Sequence, residues 1–370
     1  MKAKYIIMWR SSAFTTGCVR VDALRKSKIT WKTILLPVIG LLAFFLYLYI
    51  FNVDIPKIIA TAKHMDLGVY SLAVVAVVLE TFSFAVSWRS LLNILSVKLS
   101  VMKSFLYVWF GVFMDIIIPA ESISGEISRV YLVTREENDA SGKVVASLVT
   151  HRIIGMAINI GSLFVGIIVL LAQRQFSGVV LKLALLLTTA TAVFLGLLIL
   201  VCVKEEWTLK IISSLINFVE RIGIAKHRLT TIRSEVLDAV KVFHSSMKRY
   251  RHAPKALITS LSLSVASWLL RLIVTYLVFS SIRYSVHWSV IVVTCSIVVA
   301  VKSIPLGIPF EAGLPEITMS TLFIFFGVPA DVSATVTILY RILTVWFRFF
   351  IGFAVQQWLG IKAITTSQSN

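Results

Sequence analysis

The chain has 370 residues, 58% hydrophobic and only 15% charged, with a mean hydropathy of +0.90. Soluble domains run at about 45–50% apolar and about 25% charged, so these figures exclude a soluble globule, and with it a disordered chain, a collagen, a coiled coil or a disulfide scaffold. The formal charge of +18, from 36 Lys and Arg against 18 Asp and Glu, would suggest nucleic acid in a soluble protein, but in a membrane protein it first sets orientation.

Residues 1–32 form a basic segment without the pattern of a cleavable signal, and the first long apolar run begins after residue 32. A helix needs about 20 apolar residues to cross a bilayer core. Runs of that kind lie near 33–51, 68–87, 144–172, 179–203, 256–280 and 334–358. Two further apolar regions are too short. Residues 104–118 stop at Pro119, and 289–303 run into Ile304-Pro305-Leu306-Gly307-Ile308-Pro309; a second apolar half follows each, near 120–134 and 316–327. Short helix, break, short helix predicts a re-entrant hairpin, whose broken backbone must be enclosed by protein or water.

Charge supports this count. If neither hairpin crosses, segments 1–32, 88–103, 119–143, 204–255 and 359–370 share one side and hold 26 of the 36 basic residues. The positive-inside rule then makes both termini cytoplasmic in a multi-pass protein of the cell membrane. Within 204–255, apolar residues at Leu229, Ile232, Val236, Val240, Phe243 and Met247 step by three or four, as do Ile211, Leu215, Phe218 and Ile222. This spacing predicts two amphipathic helices, lying on the inner leaflet or packed on one another as a hairpin.

The two predicted hairpins repeat a pattern. Pro119, Glu121, Gly125 and Glu126 are followed by Arg152; Pro309, Glu311, Gly313 and Glu316 are followed by Arg341, both in the order Pro-x-Glu-x4-Glu and a distant Arg-Ile. Upstream, Ser87-Trp88-Arg89 is matched by Ser267-Trp268 and Arg271. The first hairpin enters from the cytoplasm and the second from outside, so these are inverted repeats, as in transporters with sites at broken helices near the midplane. Repeat one covers about 68–172, a cytoplasmic insert about 204–255, repeat two about 256–358, and 359–370 is a short tail.

Charges inside a bilayer cost about 2.5–3.5 kcal/mol each on insertion scales, so they must pair or face water. Glu126 and Glu316 sit where a carboxylate answers a helix N-terminus, and each has two readings, dipole neutralisation or substrate contact. Arg152 with Glu126 and Arg341 with Glu316 are either closed ion pairs or substrate ligands. Glu121 and Glu311, at the helix breaks, are the favoured acids for a polar cavity. Arg129 either contacts a phosphate or snorkels to the surface, and snorkelling is favoured. Glu80 and Asp115 are further intramembrane acids; Arg89 or Lys302 is a conceivable partner. His151 reads as a packed histidine. Cys18, Cys202 and Cys295 are far apart, and the six scattered His residues show no ligand spacing, so neither disulfide, metal nor cofactor is expected.

At these residues the chain resembles the lysylphosphatidylglycerol synthase transmembrane-region family, also described as flippase-like integral membrane proteins. The likeness rests on Pro119, Gly125-Glu126-Ile127-Ser128-Arg129 and Arg152, and then on Pro309, Gly313, Glu316, Gly327-Val328-Pro329 and Tyr340-Arg341. It covers roughly residues 30–360; Glu311 stands where the family's second motif has Gly. The resemblance implies an all-α polytopic protein that moves a lipid with a polar, anionic or aminoacylated headgroup between leaflets, without a fused synthetase domain and with a separate lipid-modifying enzyme as a conceivable partner. No nucleic acid is expected. No catalytic motif is present, including the nucleotide-binding Gly-x4-Gly-Lys-Ser/Thr loop. An enzyme acting on a lipid-linked phosphate and a secondary transporter of a small solute are the alternatives.

Overall fold

The fold is that of a computed structural model, which describes Tyr49 and residues 55–118, 123–137, 140–172, 178–221, 229–302 and 313–368. The described residues form helices and no strands. They are α1 (Ile55–His64), α2 (Leu67–Ile94), α3 (Val101–Ile117), α4 (Ile123–Thr134), α5 (Ser141–Ala172), α6 (Gly178–Val203), α7 (Glu205–Arg221), α8 (Leu229–Tyr250), α9 (Pro254–Ser281), α10 (Trp288–Lys302), α11 (Leu314–Phe325), α12 (Ala330–Arg341) and α13 (Arg348–Gln368), with a π-helical stretch, Ile342–Phe347, joining the last two. Among the described residues five helices are long and apolar enough to cross a membrane: Leu67–Ile94, Ser141–Val169, Ala184–Val203, Pro254–Ser281 and Ala330–Gly360. The predicted span at 33–51 lies outside the described residues, save Tyr49. The molecule is an all-α polytopic membrane protein.

The two longest-packed helices, α2 and α9, run antiparallel along their whole length. Asp66 N–H donates to Ser281 O at one end (2.8 Å), and Ser87 meets Ser260 toward the other. Small residues let the backbones approach: Ser87, Ser260, Ser264 and Ser267 are all buried at the seam. Their hydrogen bonds are reciprocal. Ser87 Oγ donates to Ser260 O at 2.9 Å, and Ser267 Oγ donates to Glu80 O at 3.2 Å. Ser267 is the repeat-two counterpart of Ser87, and residue 260 stands to 267 as 80 stands to 87. The same contact is therefore made twice with the roles exchanged, as an approximate two-fold axis between inverted repeats demands.

The short helices pair as the sequence predicts, α3 with α4 and α10 with α11. At the end where α2 finishes and α9 begins, Lys103 of α3 meets Glu136 beyond α4 at 2.8 Å, and Tyr107 Oη donates to the same carboxylate. Both ends of the first pair thus lie at one end of the bundle. The second pair opens the other way: Tyr284, just before α10, and Phe326, just after α11, pack into one apolar cluster with Ala73, Val77 and Phe279. Each hairpin leans on the long span of the other repeat. A Cβ on Gly352 of α13 would stand 2.5 Å from Phe113 Cβ of α3, and one on Gly166 of α5 would stand 2.6 Å from Val293 Cγ2 of α10.

Helix α6 stands outside this symmetry, packed on α5 and α10, with Leu186, Val193, Phe194 and Leu197 exposed as a lipid-facing surface requires. The amphipathic pair settles between its two expected placements. Helices α7 and α8 touch each other, but α8 also lies on α5 and buries Phe243 and Tyr250 in the core with Trp88 and Leu92, the half-buried Met247 packing against them.

Candidate functional site

Two apolar clusters fill the ends of the bundle, one around Trp88, Leu91 and Tyr107 and the other around Val77, Phe279 and Phe323. Between them the helices supply charge. A cavity of about 340 Å³ is lined there by Glu80 and Phe84 of α2, Asp115 of α3, Glu126 and Arg129 of α4, His151 and Arg152 of α5, Trp268 and Arg271 of α9, and Arg348 of α13. At roughly 30 Å³ per water it has room for about ten molecules. It draws on both repeats.

Each charge has an identifiable setting. Glu80 is buried and receives Arg271, through Nε at 3.0 Å and Nη2 at 2.9 Å, and Arg348 through Nη2. One carboxylate thus holds two guanidinium groups from repeat two. Asp115 accepts from Gly125 N–H at 2.7 Å and from Ser124 Oγ at 2.8 Å, and so closes the N-terminus of α4 from the facing helix. The approach is close enough that a Cβ on Gly125 would fall 2.3 Å from Asp115 Oδ2 and 2.4 Å from Gly111 O. Only glycine fits there. Glu126, one residue on, is therefore not needed as a cap and reaches Arg152 at 3.1 Å, both side chains partly exposed to the cavity. Gly155, one turn beyond Arg152, is exposed at the rim, with open space where a side chain would stand.

Of the seven residues expected from the sequence to bind substrate, the structure brings together three, Glu126, Arg129 and Arg152. Glu316 and Arg341 form the second expected pair, at 2.6 Å, but do not line the cavity. Glu316 Oε2 also accepts from Gly313 N–H at 2.8 Å, so one carboxylate serves as cap and counter-ion together. Glu121 and Glu311 lie outside the described residues.

Two expectations are corrected. Arg129 does not snorkel. The residue is 7% exposed, its guanidinium carbon lies 5.6 Å from the ring centres of both Phe84 and Trp88, and Nε donates to Gly125 O at 3.2 Å. The rings and the carboxylates of Asp115 and Glu126 in the same cavity solvate the cation inside, which removes the drive to reach the surface. Arg89 is not the partner of Glu80: its Nε donates to Leu99 O at 2.6 Å, while Arg271 and Arg348 take the carboxylate. His151 is packed as expected, edge-on to Phe84 with ring centres 4.3 Å apart.

Arg271 and Arg348 are the cavity cations that sequence reasoning missed, and Arg348 has a cause in the helix itself. Seven residues in a regular α-helix return to within about 20° of the same face, so Arg341 and Arg348 should point together. The π-helical stretch Ile342–Phe347 stands between them. A π turn acts as one residue inserted into an α-helix and rotates the downstream residues by about 100°. Arg341 therefore faces Glu316 of its own repeat and Arg348 faces Glu80 and the cavity.

A family model described as "Lysylphosphatidylglycerol synthase TM region" matches residues 34–352 of the chain. Among curated proteins, a UPF0104 membrane protein of Pyrococcus horikoshii is 24% identical over 334 residues, covering 87% of this chain and 95% of that protein. Another, of Methanocaldococcus jannaschii, is 25% identical over 323 residues, covering 86% of this chain and 92% of that protein. No solved structure matches.

Proposed function

The chain belongs to the lysylphosphatidylglycerol synthase TM-region family, and from that premise we propose that it translocates a polar-headgroup lipid across the cell membrane by flipping or scrambling. The observation that carries this reading is the cavity itself, in which Arg129, Arg152, Arg271 and Arg348 stand with Glu80, Asp115 and Glu126 between two apolar ends of the bundle. The barrier to lipid flip-flop is the removal of the headgroup from water. Fixed charges and room for water replace part of that solvation at depth. A volume of about 340 Å³ suits a headgroup and excludes two acyl chains, which stay in the bilayer. The positive-inside rule supports a cytoplasmic position for the end carrying Lys98, Lys103, Lys248 and Arg249. The ligands are membrane lipids, and the protein acts as a passage, not as an enzyme.

The test uses purified full-length protein in liposomes carrying a lipid fluorescently labelled on its acyl chain, with a membrane-impermeant quencher. Flip-flop should rise about tenfold or more over protein-free liposomes for at least one headgroup. Gly155→Trp, which sets a bulky ring in the open space at the rim, should return the rate toward the empty-liposome value. No acceleration with anionic, zwitterionic or aminoacylated lipid would reject the proposal.

A further inference from the structure

Three of the four cavity arginines are answered by carboxylates: Arg152 by Glu126, and Arg271 and Arg348 by Glu80. Each described carboxylate of the cavity is likewise engaged, Asp115 by the Gly125 N–H and Ser124 Oγ. Arg129 stands apart. It is more than nine-tenths buried and lines the cavity, yet it forms no ion pair with a described residue, and its only hydrogen bond to one runs from Nε to the Gly125 carbonyl. Phe84 and Trp88 support the guanidinium through their ring faces, which leaves its Nη donors without a protein acceptor among the described residues. A desolvated arginine with unused donors is a receptor for an anion, and its planar fork matches two phosphate oxygens.

We propose that the cavity selects an anionic phosphate headgroup lacking an amine, with the Nη groups of Arg129 as its principal ligand. This rests on the reading of the cavity as a lipid passage and narrows its substrate class. An ammonium group would meet more guanidinium groups than carboxylates among the described residues of the cavity. It would also find each described carboxylate occupied, so its binding must break an existing pair. An anion needs none broken.

Binding is measured on the full chain in detergent, by native mass spectrometry and by thermal shift, with three probes: dihexanoyl phosphatidylglycerol, dihexanoyl phosphatidylethanolamine and inorganic phosphate. The anionic lipid should bind about tenfold or more tighter than the amine-bearing one and should raise Tm. Arg129→Gln should abolish the preference with little change in the ligand-free Tm, because Glu126 keeps Arg152 and Asp115 keeps the α4 N-terminus when the guanidinium is gone; Arg129→Lys should retain part of it. A purely structural arginine would instead lower the ligand-free Tm and leave any preference intact. Displacement of the lipid by inorganic phosphate at equal concentration would keep the phosphate assignment and transfer it to a soluble ligand. Equal affinity for both lipids, a preference for the amine, or wild-type binding by Arg129→Gln would overturn the proposal. If Arg129→Gln fails to fold, the wild-type probe series and Arg129→Lys still decide. Anionic selectivity in binding with no flip-flop in liposomes would sink the translocation reading alone; flip-flop indifferent to headgroup would sink this inference alone.

Discussion

Two Glu–Arg pairs occupy matching places in the inverted repeats and do different work. Glu126 and Arg152 are 24% and 31% exposed at the side chain and line the cavity; Glu316 and Arg341 are 5% and 11% exposed and do not. The difference begins at the N-terminus of the second helix of each hairpin. In repeat one the cap comes from across the hairpin, from Asp115 of α3, and Glu126 is left for Arg152 and the cavity. In repeat two, with Pro119 and Pro309 aligned, Pro305 stands where Asp115 would be, and Glu316 must cap Gly313 itself. A shared motif becomes a site in one half and a structural clasp in the other, according to which residue supplies the cap.

The comparison breaks most sharply under matched substitutions of the two acids. Glu316→Gln leaves Arg341 charged in a closed setting and weakens the helix cap. Breaking a buried pair by removing one partner costs about 3–5 kcal/mol, so Tm in detergent should fall steeply. Glu126→Gln leaves Arg152 facing a cavity with room for water, where an exposed pair is worth about 0.2–1 kcal/mol. Its Tm should barely change while flip-flop in liposomes slows. Equal losses of Tm from both would show that the first pair is as closed as the second.

Gly125→Ala tests the cap that sets the two halves apart. The added methyl would overlap Asp115 Oδ2 and Gly111 O at 2.3 and 2.4 Å, and both belong to α3, a packed helix that cannot simply swing aside. Overpacking of this kind costs about 1–3 kcal/mol. It should lower Tm, measured by intrinsic tryptophan fluorescence, and push Asp115 off the α4 terminus, so that Glu126 is drawn from Arg152 toward the helix end. A wild-type Tm and transport rate would show that α3 and α4 are not held in this register.

Both ion pairs were legible in the sequence, because Pro, Glu and Arg recur at nearly fixed spacing and a bilayer forces buried charges to meet. The hairpins were legible for the same reason: about 15 apolar residues ahead of a proline cannot span. The partner of Glu80 was not. Arg271 comes from the antiparallel neighbour, at a sequence distance no local pattern spans, and Arg348 is aimed by a π turn that the regular 3.6-residue period does not anticipate. Arg129 was misread because chain position places it only about one and a half helical turns from the end of α4, close enough to snorkel, and nothing local announces that Phe84 and Trp88 of another helix will hold it inside.

The smallest effect sharpens the symmetry itself. Ser87 and Ser267 donate to Ser260 O and Glu80 O respectively, contacts that an in-plane two-fold axis would exchange. Hydrogen bonds between membrane helices average about 0.6 kcal/mol, so Ser267→Ala should lower stability by roughly that amount in reversible unfolding. Ser87 has more to lose, because its Oγ also lies 2.9 Å from Ser260 Oγ and 2.8 Å from Ser264 Oγ, whereas Phe84, the counterpart of Ser264, offers Ser267 no hydroxyl. Ser87→Ala should therefore cost about twice as much, and the surplus should vanish in a Ser260→Ala/Ser264→Ala background, where each serine keeps only a backbone carbonyl as partner. If Ser87→Ala and Ser267→Ala stay unequal there, the axis relates the folds of the two halves but not their energetics, and repeat two would carry a structural load at this seam that repeat one does not share.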